Sequence, residues 1–210
     1  MIDYRVYLVT DEPSRYKRNW LETIEAALDG GVTCVQYRDT ESTPCEQFAR
    51  ARRLRDLLAV RHIPLIVNND PELAATVQAK GVHVGQGDLP PEDVRRIVGP
   101  TCEIGLSITH LSQLASLAKM TKGLVNCLGI GPVYDARKTK PDAAHEMGLS
   151  GLREIVAHSP EFRNVAIGGI TIDHAAEVLA AGAQGLAIVS ALSQAEDPCA
   201  AAQAFRRCFK

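Results

Sequence analysis

A single (β/α)8 barrel is the fold class this sequence predicts, and three observations predict it. Short β-branched or apolar runs alternate with helical patterns eight times along the 210 residues. Most of those runs are apolar at consecutive positions, which suits parallel strands covered on both faces. Helix punctuation stands in place, with Pro71, Pro91 and Pro198 in first turns and Gly31, Gly81, Gly99 and Gly182 just past the last. A doubly wound open sheet has five or six strands and would leave two of the eight unused. No linker, Ser/Gly tract or low-complexity segment breaks the rhythm, so one barrel domain is expected over 1–210.

The units run in order. VYLVT, with its core at 7–10, leads to the amphipathic LETIEAALDGG (21–31). CVQYR (34–38) precedes PCEQFARARRLRDLLAV (44–60), which opens on Pro and carries its charges around an Ala/Leu stripe. PLIVNN (64–69) is followed by PELAATVQAKG (71–81), and VHVG (82–85) by PEDVRRIVG (91–99). EIGLSI (103–108) leads to LSQLASLAKM (111–120), and VNCLGI (125–130), through a Gly-Pro break, to GLREIVAHS (151–159). NVAIGG (164–169) pairs with IDHAAEVLAAG (172–182), and GLAIVS (185–190) with PCAAAQAFRRCF (198–209).

Composition excludes several classes. A hydrophobic fraction of 46% is ample for a core. The 23 basic and 25 acidic side chains are spread along the chain, so no basic face for nucleic acid is implied. No apolar run reaches the ~20 residues of a membrane span, and MIDYRVYLVTDE lacks the basic and apolar regions of a secretory signal, so a cytoplasmic protein is expected. The six cysteines show no CxxC or zinc spacing and read as reduced, small hydrophobes. Exposed apolar positions on the outer helices allow a homodimer.

In such barrels the loops at the C-terminal strand ends build the site. Those ends carry Asp11; Gln36 and Arg38; Asn68, Asn69 and Asp70; His83, Gln86 and Asp88; Ser107, Thr109 and His110; Tyr134 and the Arg137–Lys140 cluster; Gly168 and Gly169; and Ser190. Asp70 and Asp88 follow neighbouring strands. Together they suit a hard cation such as Mg2+, or each caps the helix that follows it. Gly168, Gly169 and the backbone around Ser190 read as a phosphate cup, or the glycines as tight turns. His83 points either into the barrel or toward a helix.

YLVTD, VQYRD, NND, GVHVGQGDLP, GLSITH, GIGPVY with TKPDA, AIGGIT and AIVSALSQAEDP, in this order over residues 5–200, resemble thiamine phosphate synthases. The resemblance implies an enzyme that joins hydroxymethylpyrimidine diphosphate to a thiazole phosphate carboxylate, releasing pyrophosphate. It further implies that Gln36 and Arg38 contact the diphosphate substrate and Asn69 its ring, with Asp70 and Asp88 holding Mg2+. Ser107 and Lys140 would bind the diphosphate, and Thr139, Gly169, Val189 and Ser190 the thiazole phosphate. Arg38, Ser107 and Lys140 would carry catalysis, because a departing pyrophosphate asks for charge stabilisation rather than a covalent nucleophile.

Three departures stand out. Thr40 occupies the substrate-binding position where the family has a lysine, DARKTK is one residue longer than the family loop, and so is GLSITH. The expectation is that Arg137 or Lys138 supplies the charge missing at Thr40. The thiazole tautomerases resemble the synthases but lack the metal set and use a histidine near strand five, which draws attention to His110. Asn69, Asp70, Asp88, Thr139 and Lys140 favour the synthase over that reading and over a non-catalytic barrel that only holds thiamine phosphate.

Overall fold

The computed structural model describes residues 1–137 and 143–209. Eight parallel strands close on themselves in sequence order: β1 Val6–Val9, β2 Cys34–Tyr37, β3 Leu65–Asn68, β4 Gly81–Val84, β5 Glu103–Ile108, β6 Cys127–Ile130, β7 Arg163–Ile167 and β8 Gly185–Ile188. The seam pairs β1 with β8, setting Tyr7 opposite Ala187 and Leu8 opposite Ile188. Closure leaves no strand edge unpaired.

The side-chain period of two sorts each strand into two cores. Val6 and Leu8 of β1 point outward, into the large cluster under the helices with Ile24, Leu54, Leu128 and Leu186. Tyr7 and Val9 point inward and meet Cys34, Ile66, Cys127, Val165 and Ala187, with Ile2 and Tyr4 below. Truncating a fully buried member of the outer core such as Leu128 to alanine costs about 2–5 kcal/mol.

The helices start where the punctuation places them. α1 Trp20–Asp29 begins at Asn19, whose side chain accepts from the Leu21 and Glu22 N–H groups. α2 Pro44–Val60 has a capping box between Thr43 and Glu46. α3 Pro71–Thr76, α4 Pro91–Val98 and α9 Pro198–Arg207 each carry Pro in the first turn. α6 Gly148–Ala157 and α7 Ile172–Ala180 complete the ring.

Three elements differ from expectation. α3 stops at Thr76, because Lys80 must already pair with the sheet, its N–H donating to Leu65 O at 2.9 Å; Gly81 is the first residue of β4 rather than a helix end. The helix expected over 111–120 is a 3-10 turn, Leu111–Gln113, and one α turn, α5 Leu114–Leu117. There the Ser116 hydroxyl donates to Gln113 O at 2.7 Å, the local bonding by which Ser competes with helix. A short α8, Ser190–Ser193, follows β8 directly.

All six cysteines are free; Cys34, Cys102 and Cys127 are buried, but Cys45 is exposed, against the reading of the set as core residues. Burial pushes the Cys34 and Cys127 thiols far up, so both stay neutral on the barrel axis. Among the described residues no helix is long and apolar enough to cross a membrane.

Candidate functional site

The barrel opens at the C-terminal strand ends into a cavity of about 480 Å³. Its floor consists of inward residues of the strands. Gln36 is buried and its Nε2 donates to Tyr7 Oη at 2.6 Å, fixing the amide. His83 settles inward: its Nε2 lies 3.1 Å from Ser107 Oγ, and both residues line the cavity. Glycines on β5 and β6 make room for the ring. A Cβ at Gly129 would stand 2.8 Å from His83 Cε1, and one at Gly105 would collide with the ring outright. Burial lowers the His83 pKa to about 4, against a smaller opposing pull from Asp88, so the imidazole is neutral near pH 7.

On the β1–β2 side the rim is built from side-chain charge. Glu12 is 2% exposed. Its Oε1 accepts from Arg38 Nη1 and from Thr40 Oγ1, both at 2.7 Å, and its Oε2 accepts from the Thr40 N–H at 2.9 Å. Beside it Asp39 takes Arg50 at 2.9 Å and the Tyr37 hydroxyl at 2.9 Å. Arg38 lines the cavity; Thr40 does not.

The β3 and β4 ends stand side by side, Asn68 opposite His83. Asn68 lines the cavity. Asn69 takes φ 59°, the left-handed region that Asn tolerates, with its N–H donating to His83 O at 2.8 Å. Asp70 caps α3, its Oδ1 accepting from the Leu73 N–H at 2.8 Å. Asp88 caps no helix; its Oδ2 accepts from the Gly85 N–H at 2.7 Å and closes its own loop. Each carboxylate keeps a second oxygen without a hydrogen-bond partner among the described residues. Asn69, Asp70 and Asp88 stand outside the cavity lining, and no group of three or more His, Cys, Asp or Glu gathers among the described residues.

The β6–β8 side is built from backbone. Gly168 and Gly169 turn the chain after β7 with φ 101° and 62°, where a Cβ would meet Pro132 and Tyr134 at 2.5 and 2.7 Å. Both line the cavity, with Val189 and Ser190 beyond them. Tyr134 holds this corner: its N–H donates to Gly168 O at 3.0 Å, its ring stacks on His174 at 4.0 Å, and its hydroxyl donates to Glu177 at 2.5 Å. Burial and the Glu177 carboxylate together push the Tyr134 phenol up to about 12. Arg137 is exposed and its Nε donates to Asp135 at 2.8 Å. Lys138, Thr139 and Lys140 lie outside the described residues. His110 is exposed and does not line the cavity, whereas Thr109 does.

Residues 6–192 match the model of the family described as thiamine monophosphate synthase. The chain belongs to the thiamine monophosphate synthase family. It is 43% identical to a thiamine-phosphate synthase of Albidiferax ferrireducens over 97% of its own length and 90% of the relative's. It is equally identical to one of Chloroflexus aurantiacus, over 98% and 93%. A solved structure of a thiamine phosphate pyrophosphorylase from Pyrococcus furiosus superposes with a TM-score of 0.85 at 33% identity, covering 99% of this chain and 96% of that one.

Within this thiamine monophosphate synthase barrel, the cavity gathers Gln36, Arg38, Ser107, Gly169, Val189 and Ser190 of the site residues the resemblance implies, with Asn68, His83, Thr109 and Gly168 of the other strand-end residues. Two lining or supporting residues fall outside both sets. Tyr7 hides in an apolar run, and only its period-two alternation with Val9 marks it as inward. Glu12 follows Asp11 just past the end of β1, and its signal is an acid one loop away from Arg38.

Proposed function

We propose that this chain is a thiamine phosphate synthase that joins a pyrimidine diphosphate to a thiazole phosphate and releases pyrophosphate. The observation that carries the reading is the near-full-length match to thiamine-phosphate synthases. The reaction breaks the C–O bond between the pyrimidine methylene and the diphosphate, whose oxygen keeps the electron pair; the thiazole nitrogen lone pair forms the new C–N bond.

The chain's own residues divide that work. Arg38 stands at the rim with a fixed guanidinium and meets the negative charge that grows on the leaving group. Gln36, locked by Tyr7, presents its remaining amide groups to the pyrimidine. His83 stays uncharged and orients the Ser107 hydroxyl, so the floor holds a hydroxyl without placing a cation under the ring. Backbone N–H groups at Gly168, Gly169 and Ser190 cradle the thiazole phosphate, which holds the nitrogen in line with the methylene. Thr139 and Lys140 belong to the same roles by resemblance.

Asp70 and Asp88 fit Mg2+. They offer two hard oxygen donors from neighbouring strand ends, each oriented by one backbone N–H, and Mg2+ takes one or two carboxylates and leaves its other positions to water and phosphate. When bound there it supplies further neutralisation of diphosphate charge. The test is to mix the purified chain with both substrates and Mg2+ and follow pyrophosphate. Release that requires both substrates is the expected result, and none above a single-substrate control overturns the reading.

A further inference from the structure

We propose that Glu12 is a positioning residue for this reaction, and that Thr40 is the second jaw of a clamp through which Glu12 holds the Arg38 guanidinium at the cavity rim. The proposal rests on the synthase reading for the identity of the anion, although the clamp can be read without turnover.

A carboxylate that is 2% exposed must be compensated where it sits. Glu12 is compensated by three donors from two neighbouring residues of one segment, Arg38 Nη1, Thr40 Oγ1 and the Thr40 N–H, at 2.7, 2.7 and 2.9 Å. The Thr40 pair grips both oxygens, so the carboxylate plane is set by backbone and hydroxyl before the guanidinium arrives. Arg38 adds a flexible stem whose rotamer freedom would otherwise be lost only on substrate binding. Its backbone is anchored as well, the N–H donating to Thr10 Oγ1 at 2.8 Å. Glu12 does not line the cavity and Arg38 does, so Glu12 acts through Arg38. The side-chain bond to Glu12 uses Nη1, and the other guanidinium donors are left for an anion.

The clamp also accounts for this chain's departure at position 40. A lysine there would share the Glu12 charge with Arg38 or compete for it. Threonine contributes neutral donors, so Arg38 is the one cation paired with Glu12 among the described residues. On this reading a better-fixed Arg38 answers the lost cation.

Steady-state kinetics on Thr40→Val, Thr40→Ser and Glu12→Gln, each with its melting temperature, test the clamp. Thr40 is exposed, so valine is accommodated without repacking. Removing one hydroxyl donor to a carboxylate should raise KM for the pyrimidine diphosphate about fivefold and leave KM for the thiazole phosphate unchanged. Thr40→Ser should recover most of that loss. Glu12→Gln should raise the same KM by roughly 10-fold or more, yet add less than about twofold in an Arg38→Ala background, because residues acting as one unit are not additive. Equal losses in both backgrounds, or a joint rise of both KM values, overturn the proposal. Should the wild type show no turnover at all, the synthase reading falls by itself. Calorimetric titration with magnesium pyrophosphate then reads the clamp directly, with weaker binding in Thr40→Val supporting it and equal binding overturning it.

Discussion

The two sides of the cavity mouth hold charge by opposite means. At β1–β2 the rim is a lattice of charged side chains: Glu12 with Arg38, and Asp39 with Arg50, their carboxylates buried and their cations about a quarter exposed. At β6–β8 it is two positive-φ glycines and a short helical turn, with an aromatic stack behind them. Side chains can be tuned one atom at a time but must be ordered, whereas backbone donors come already ordered and tolerate no added atom. A mouth that takes two anions can therefore distinguish them by how each is held.

The sharpest way to break that comparison is Arg38→Ala. Loss of a charged donor at a leaving group should lower kcat/KM by about 10²–10³-fold, and the effect should sit with the diphosphate substrate. A matching loss for the thiazole phosphate would mean that the two sides are not separate.

The floor beneath both sides responds to pH instead. His83 has a folded pKa of about 4 against an ordinary value of 6.5. Above pH 6.5 both folded and unfolded chains hold it neutral and it adds no pH dependence. As pH falls from 6.5 toward 4 only the unfolded chain takes up the proton, and stability is lost. At ~1.4 kcal/mol for each pH unit the loss is about 3 kcal/mol. Denaturant melts of wild type and His83→Asn over that range should show the acid slope largely removed in the variant; an unchanged slope assigns it elsewhere.

Gly169→Ala tests the backbone side. A non-glycine residue at φ 62° with its Cβ 2.7 Å from Tyr134 should cost about 1–3 kcal/mol. KM for the thiazole phosphate should rise more than that for the diphosphate. Smallest is the cap at Asp70, where asparagine and alanine part company. Asp70→Ala should cost ~1 kcal/mol of stability and Asp70→Asn little, since Asn caps as well as Asp. Both should raise the Mg2+ concentration needed for half-maximal rate. If Asp70→Asn leaves that concentration unchanged, the carboxylate is a cap alone.

Eight strands and their order were legible because period and punctuation are local, and closure of the sheet follows from their number. Helix ends were less so: the pull of the sheet on Lys80 ends α3 at Thr76, and no propensity of residues 77–80 announces it. At the site, inward residues such as Gln36 and Ser107 were visible from their place at strand ends. Glu12 was not, because its meaning lies in a contact with Thr40, 28 positions away, that only the β1–β2 pairing creates. The Asp70 ambiguity was real in the sequence and the molecule keeps one half of it, since the side chain does cap α3.

His83 fills the room that Gly105 and Gly129 leave, which makes the three positions heritable only as a set. A Cβ at either glycine meets the imidazole first, colliding with it from Gly105 and standing 2.8 Å away from Gly129. Added bulk on β5 or β6 therefore displaces the histidine, and with it the neutral partner of Ser107. What looks like two unremarkable glycines in a strand is the record of that dependence.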